Sequence, residues 1–469
     1  MKTRLLTCLA MTLALTMNAQ VTIVKEINDS GSSSSSPNNL TVYNGKIYFG
    51  ADDSSGSNTP GGMDLGRELW VTDGTEVGTA FVKDLRTGSG SSSPGNFFEL
   101  GGTLYFSANS GSGNVLFSSD GTEPNTSATG GDFIFNALDV SGLIYYINTV
   151  DSNALYTFDG TTQTKVANVG AEDVQFAGGA FTFFNNKILG YGFTATDDPT
   201  IGRELYEYDP ATDTYTLVKD ITGDDANSGI SNFTIVGSEL YFEATGQLWK
   251  TDGTGVGTIA VSMASGASGV NNLFAWNGDV YFEGDTGSGD QLWKYDPTGD
   301  TLTNLSNLTG TNTNHDPSDY AVYDGFLYYR GEDANDTDGH LFRTDGTTIA
   351  QLDSSIKDVD EITVLNDVLY FEGDNGTTGN ELYSFNPATL SINDNKAELV
   401  KVFPNPANDH IMVSKQLINA KYSIHDVTGK TIKEGVINSE KVNLNLGSGL
   451  YLFKVKTELS TITKKIIIK

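Results

Sequence analysis

Cysteine is nearly missing from this chain. Cys8 is the only one in 469 residues, so everything after it lacks disulfides, thiol nucleophiles and cysteine metal ligands. Histidine is scarce as well, with four residues. None of His315, His340, His410 and His425 falls in a His-Glu-x-x-His helix, a nucleophile elbow or a Cys/His cluster, which removes the best-marked hydrolase and zinc-enzyme patterns. Beyond the first residues no apolar run approaches the roughly 20 positions of a spanning helix. Positive charge is short too, 28 Lys and Arg against 59 Asp and Glu, a net charge of −31. Nucleic acid and anionic membrane surfaces are repelled on those grounds.

The charge is unevenly placed. Of the total, residues 1–19 carry +2, residues 396–469 carry +6, and residues 20–395 carry −39. The first segment has Lys2 and Arg4, an apolar run from Leu5 to Leu15 and then Met17-Asn18-Ala19, the three-part form of a cleavable secretory signal ending near Ala19. A lipoprotein reading of Leu6-Thr7-Cys8 has too few apolar residues before the cysteine. With 53 glycines and 38% hydrophobic residues, the remainder is expected to be a soluble, turn-rich, all-β protein.

One phrase recurs eight times: Leu-aromatic, then Asp or Asn three residues later, then Gly or Pro. It begins at Leu69, Leu116, Leu155, Leu205, Leu248, Leu292, Leu341 and Leu382, at spacings of 47, 39, 50, 43, 44, 49 and 41 residues. That period suits four-stranded propeller blades and is too irregular for a solenoid. Ahead of each copy stands a two-residue turn followed by a β-branched residue or Leu and an aromatic pair, as in Asn44-Gly45 then Ile47-Tyr48-Phe49; the fourth copy, Asn185-Asn186 then Ile188-Leu189, has drifted most. Asn-Gly between apolar runs is a strong hairpin signal.

Each unit therefore reads as strands a, b, c and d of a meander, in the first unit Leu40 to Tyr43, Lys46 to Ala51, Glu68 to Thr72 and Thr79 to Leu85. The expected fold is an eight-bladed β-propeller, with seven blades as the alternative. Residues 21–27 resemble strand d of units one and four and could complete the last blade, although Thr389 to Asn393 could supply that strand locally. The a-b and c-d turns share one face. Long b-c loops and Ser-rich d-to-a crossings share the other, where a ligand is expected.

The copies at 69–75 and 248–254, Leu-Trp-x-Thr-Asp-Gly-Thr, resemble the Glu-Leu-Trp-x-Thr-Asp-Gly-Thr repeats of secreted bacterial propeller proteins. The resemblance spans residues 21–393. It implies a propeller and an extracellular setting, with no settled activity.

Near residue 395 Asp and Gly thin out and Lys becomes common, which divides the chain into 1–19, a propeller at 20–394, and a small β-sandwich at 395–469. The markers Val402-Phe403-Pro404-Asn405-Pro406 with Asp409, Asp426-Val427-Thr428-Gly429, Gly449-Leu450-Tyr451 and the last strand with Lys464-Lys465 stand in the order of the type A C-terminal sorting domain of the type IX secretion system of Bacteroidota, which the segment closely resembles. Phe403 stands where Tyr is frequent, and Gly447-Ser448-Gly449 replaces a Pro-containing turn. The resemblance implies recognition by the export machinery, often followed by removal of the domain and release or surface attachment of the cargo.

Candidate chemistry is sparse. In Glu332-Asp333-Ala334-Asn335-Asp336-Thr337-Asp338-Gly339, the side chains of Asp333, Asn335, Asp336 and Asp338 offer alternating oxygen ligands of the kind calcium prefers; the competing reading is a solvated acidic loop. Trp70, Trp249, Trp276 and Trp293 read as core, with sugar stacking as the alternative. Each c-d turn Asp has a structural explanation, because Asp caps tight turns. Three functions remain open: an exported protein binding a glycan or protein through an acidic loop-bearing face, a secreted polysaccharide- or peptide-degrading enzyme with carboxylates at the channel mouth, and a structural envelope component. Scarce histidine disfavours the second, and varied loops disfavour the third.

Overall fold

The computed structural model describes residues 21–166, 174–262, 267–285, 287, 289–389, 402–403, 405–413, 417–418, 420–426, 430–456 and 461–469. They fall into two compact units, one within 20–387 and the other within 388–469. Residues 1–19, expected as a secretory signal, and Pro404 and Gly429 of the expected sorting signal lie outside the described residues.

The larger unit is a succession of eight antiparallel groups of four strands. Their a strands are Asn38–Tyr43, Gly95–Leu100, Phe135–Val140, Gln175–Phe184, Ser231–Val236, Ser268–Trp276, Ser318–Tyr323 and Lys357–Leu365. Units three and four are further joined through one pair, Ala154 with Gln175. Among the described residues up to Thr389, helix is confined to Asp198–Ile201 and a short 3-10 turn at Pro387–Thr389.

Local chemistry makes these meanders. Asn44 and Gly45 turn the first a-b hairpin with φ of 49° and 72°, and the drifted Asn185-Asn186 pair does the same at 52° and 63°; a primed turn of this kind follows the right-handed twist of the strands. On the c-d side, Asp73 Oδ1 accepts from Thr75 N (2.9 Å) and Thr75 Oγ1 (2.7 Å). Beneath it, Thr72 and Thr79 share a buried hydroxyl contact of 2.7 Å. Unit five repeats the device with Asp252, Thr254, Thr251 and Thr258. The Thr-Asp-Gly-Thr phrase is thus a turn lock, as Asp capping predicted.

The apolar clusters join one unit to the next. Tyr43, Tyr48 and Leu69 of unit one pack with Leu104, Phe106 and Phe117 of unit two. Ile47, Phe49 and Trp70 of unit one pack with Leu365, Tyr370 and Leu382 of unit eight, together with Val24 and Ile27. A meander with two apolar faces is stable only when both are covered, and each large side chain so buried contributes about 2 kcal/mol or more. Strand a of every unit touches strand a of the next, and that of unit eight touches that of unit one. Strand-b tyrosines add a polar tie: the hydroxyls of Tyr48 and Tyr105 donate to the turn carbonyls of Gly121 and Gly160 in the following unit. Tyr370 of unit eight stands likewise against Gly74 of unit one, whose Cβ, if present, would collide with the hydroxyl.

Strand d of the eighth group comes from the other end of the unit. Thr22–Lys25 pairs antiparallel with Asn380–Phe385, placing Thr22 opposite Ser384 and Ile23 opposite Tyr383. Of the local alternative, Thr389 lies in the 3-10 turn and residues 390–393 are outside those described.

Residues 402–469 form two antiparallel sheets, one of three strands and one of four. Ile411, Val413 and Val442 from the first share one core with Ile424, Phe453, Val455 and Ile466 from the second.

Candidate functional site

The Glu that opens the Leu-aromatic phrase has a buried task. Glu68 is fully buried, and its carboxylate accepts from Leu85 N (2.7 Å), Ser92 N (3.0 Å) and Ser92 Oγ (2.7 Å). It thereby ties strand d to the crossing that leads into the next unit. Glu381 does the same with Ile27 N (2.9 Å), Asn28 N (3.1 Å) and Ser35 Oγ (2.6 Å). Burial pushes both carboxyls up to about 7, against the lowering pull of those donors. In unit six Gln291 occupies the position, accepting from Leu308 N (2.7 Å) and donating to Thr313 O (2.6 Å).

In unit seven the position belongs to His340. Its ring is buried, 2% exposed, and Nδ1 lies 2.7 Å from Ile356 O, the crossing into unit eight. A carbonyl only accepts, so Nδ1 carries the proton there. Nε2 faces Asp336 Oδ1 at 3.3 Å. Asp333 completes the group, one ligand atom from each of the three lying within 4.8 Å of the others. The b-c loop holds the acids in place: Asp333 Oδ1 accepts from Asn335 N (2.7 Å) and Asp336 N (3.2 Å), and Asp336 Oδ1 accepts from Asp338 N (3.2 Å). Asn312 Nδ2 reaches across to Asp336 O (2.7 Å), Asp333 O (3.1 Å) and Glu332 Oε2 (2.9 Å).

Of the four residues expected as calcium ligands, two stand in this group. Asp338 turns instead to Lys357, 2.9 Å away, and Asn335 contributes its backbone N–H to the loop. His340 was missed by sequence reasoning because its role depends on strand register; the usable signal is its place in the slot where units one, four and eight have Glu. His315 lies apart in the core, fully buried, contacting Glu332 O and Tyr329 Oη and stacked edge-on against Phe342. Burial lowers its pKa to about 4.

A second concentration of charge runs over the b-c and d-to-a ends of units six, seven, eight and one. Seven a strands carry a left-handed residue at a register shift, among them Asn39, Asn232, Asn272, Asp319 and Glu361. These bulges aim side chains at neighbouring units. Asn272 Nδ2 donates to Glu283 Oε2 (2.8 Å) and to Pro317 O (3.3 Å). Glu361 N donates to Asp319 Oδ1 (3.3 Å), while its own carboxylate accepts from Leu40 N (3.4 Å). Burial, then Asp290 and Asp316, raise Glu283 to about 7. Burial also raises Glu361 and Glu372, which share the neighbourhood of Arg67. Arg330 Nη1 meets Asp316 Oδ2 at 2.6 Å. A faint sequence signal for the bulges exists in Pro37-Asn38-Asn39, Pro94-Gly95-Asn96 and Pro317-Ser318-Asp319.

The tryptophans pack inward. Trp70, Trp276 and Trp293 are 0%, 6% and 4% exposed, and Trp249 is half-buried against the core shared by units four and five. In the smaller unit, Asn405 pairs like a strand residue with the last strand, donating to Lys465 O (2.8 Å) and accepting from Ile467 N (2.9 Å); its peptide bond to Pro406 is cis. Asp409 Oδ1 contacts His410 Nδ1 at 2.6 Å, and Asp426 Oδ1 accepts from Lys430 N at 3.1 Å. Gly449 lies opposite Ile468, Tyr451 opposite Ile466, and Lys464 and Lys465 opposite Phe453 and Leu452.

Residues 401–469 match the family model of the secretion system C-terminal sorting domain. The chain carries a type IX sorting domain. This domain indicates interaction with the secretion machinery and export to the cell surface or extracellular space. No helix among the described residues is long and apolar enough to cross a membrane. No curated protein matches the chain. Among solved structures it is similar to PorZ, described as an essential bacterial surface component of the type-IX secretion system of Porphyromonas gingivalis, at 14% identity and a TM-score of 0.38 over 91% of this chain and 64% of that one. It is also similar to the β-propeller domain of the Trilobed protease from Pyrococcus furiosus (11%, TM-score 0.37, 63% and 93% covered). An oligogalacturonate lyase in complex with manganese shows 14% identity and a TM-score of 0.42, with 62% and 88% covered. The chain spans about 64% of the length of PorZ.

Proposed function

We propose that the chain is an exported binding protein, a closed eight-bladed propeller whose loop-bearing face takes a neutral or amino-bearing glycan, or a basic protein, after the sorting domain has directed it outward. The observation that carries this reading is the charged arc from Glu283 through Asp316, Asp319 and Glu361 to Glu372, interrupted by Arg330 and Arg67. Carboxylates drawn from several units and partly desolvated are strong hydrogen-bond acceptors, and the two arginines supply forked donors among them. The cycle of contacts between a strands and the pairing of Thr22–Lys25 into the last group support the closed ring.

The test is a glycan and basic-peptide array probed with the full chain. Binding that falls at least about tenfold in Glu372→Gln and Arg67→Gln, about 1.4 kcal/mol each, is the expected result. Binding indifferent to both substitutions, or cleavage of an arrayed polymer, overturns it, the latter in favour of an enzyme.

A further inference from the structure

We propose that Asp333, Asp336 and His340 bind a divalent cation of the borderline class, Zn²⁺ or Mn²⁺, rather than calcium. The three ligand atoms already lie within 4.8 Å of one another. A second observation points the same way. His340 is buried, and with Nδ1 held on Ile356 O at 2.7 Å its other nitrogen, Nε2, is aimed out of the core at Asp336 Oδ1, 3.3 Å away. A divalent cation seated among Nε2 and the two carboxylates would take one ligand atom from each. A ring N–H held by a backbone carbonyl is also how metal-bound histidines are oriented.

The donor set decides the class of metal. Calcium takes six to eight oxygens and avoids imidazole, whereas one imidazole with two carboxylates suits Zn²⁺ and Mn²⁺. Asp338, which would have added an oxygen, is held by Lys357 at 2.9 Å. The loop backbone fixes both acids before any metal arrives, because Asp333 caps Asn335 and Asp336 while Asp336 caps Asp338. Asp336 is exposed and Asp333 half-buried, so the site opens toward solvent on the loop-bearing side. The proposal goes beyond the binding function above and is independent of it.

Unit six provides the control. Gln291 fills the same strand-c position and makes the crossing bond through its amide, so His340→Gln keeps that bond and removes the metal-facing nitrogen. Full chain stripped with chelator is titrated calorimetrically with ZnCl₂, MnCl₂ and CaCl₂, and Co²⁺ absorption reports nitrogen ligation. One Zn²⁺ or Mn²⁺ site per chain is expected. Its affinity should fall by at least about 100-fold in His340→Gln and in Asp336→Asn, since even losing a supporting partner costs 10–100-fold, with the unfolding midpoint in His340→Gln nearly unchanged. Equal affinity in wild type and both variants, or no saturable site, overturns the proposal. Calcium binding that survives His340→Gln but not Asp333→Asn overturns it in favour of a calcium loop. Array binding by the full chain is read separately and is untouched by any of these results.

Discussion

Units one and seven share one backbone plan and differ at one decisive slot. In unit one Glu68 is saturated by three donors, one at Leu85 just past strand d and two on Ser92 in the crossing it secures. In unit seven His340 secures the crossing with a single bond and keeps a second nitrogen turned toward the acidic b-c loop. A repeated fold with redundant ties tolerates the exchange of one of them. The exchange exposes chemistry that a carboxylate already consumed by backbone amides cannot offer.

The largest effect expected from breaking this comparison is that of Glu68→Ala. It strands the buried Leu85 amide, while Ser92 keeps Arg67 O as an acceptor for its N–H and hydroxyl, at about 3 kcal/mol, since an unsatisfied buried group costs roughly 1–3 kcal/mol and the cavity left behind adds to it. The same truncation at His340 leaves one carbonyl unpaired and should cost about 1–2 kcal/mol. Urea denaturation of the two variants measures the gap, and equal losses would remove the distinction between a saturated tie and a partial one.

The contact between units one and eight sets the next effect. Gly74 and Gly88 have almost the same φ, 92° and 95°, but a Cβ on Gly88 would meet nothing within 4 Å whereas one on Gly74 would strike Tyr370 of unit eight. Gly88→Ala should cost about 1 kcal/mol for the left-handed conformation alone, and Gly74→Ala about 2–3 kcal/mol, as overpacking adds to it. Tyr370→Phe in the Gly74→Ala background should recover part of the excess. No difference between the two glycines would mean that units one and eight do not abut in solution.

The smallest effect is one of pH. Glu283, 8% exposed, titrates near 7 when folded and near 4.5 when unfolded. Between those values the folded chain holds the extra proton, so this group's contribution to stability is full below about 4.5 and is lost as pH rises to about 7. Glu283→Gln should flatten the decline by about 1–2 kcal/mol between those limits, as a unit of pKa shift corresponds to about 1.4 kcal/mol. Stability curves of wild type and variant that run parallel from pH 4.5 to 7 would refute it.

How much of this was legible beforehand varies by element. The first unit's strands, read as Leu40 to Tyr43, Lys46 to Ala51, Glu68 to Thr72 and Thr79 to Leu85, occur as Asn38–Tyr43, Lys46–Asp52, Arg67–Thr72 and Ala80–Lys83. Turn residues with positive φ and alternating apolar strands are local signals, and local signals survive in a sequence. The bulges on the a strands were not legible, because a left-handed Asn inside a strand is chosen by what the next unit presents to it. The acids of the unit-seven loop stood out as a run, yet which of them converge could not be read from spacing. Asp338 went to Lys357, from the neighbouring strand a, and His340 came in from strand c.

By itself the sequence determined the repeating four-strand unit, its turn locks, the loop-bearing side and the sorting segment, since each rests on residues close together along the chain. Tertiary structure alone decided that Thr22–Lys25 completes the eighth group, that Tyr370 abuts Gly74, and that His340 meets Asp333 and Asp336. Those outcomes join residues whose separation in sequence has no bearing on their distance in space. Strand pairing and the burial of apolar faces between units bring them together, and the chemistry follows from that placement.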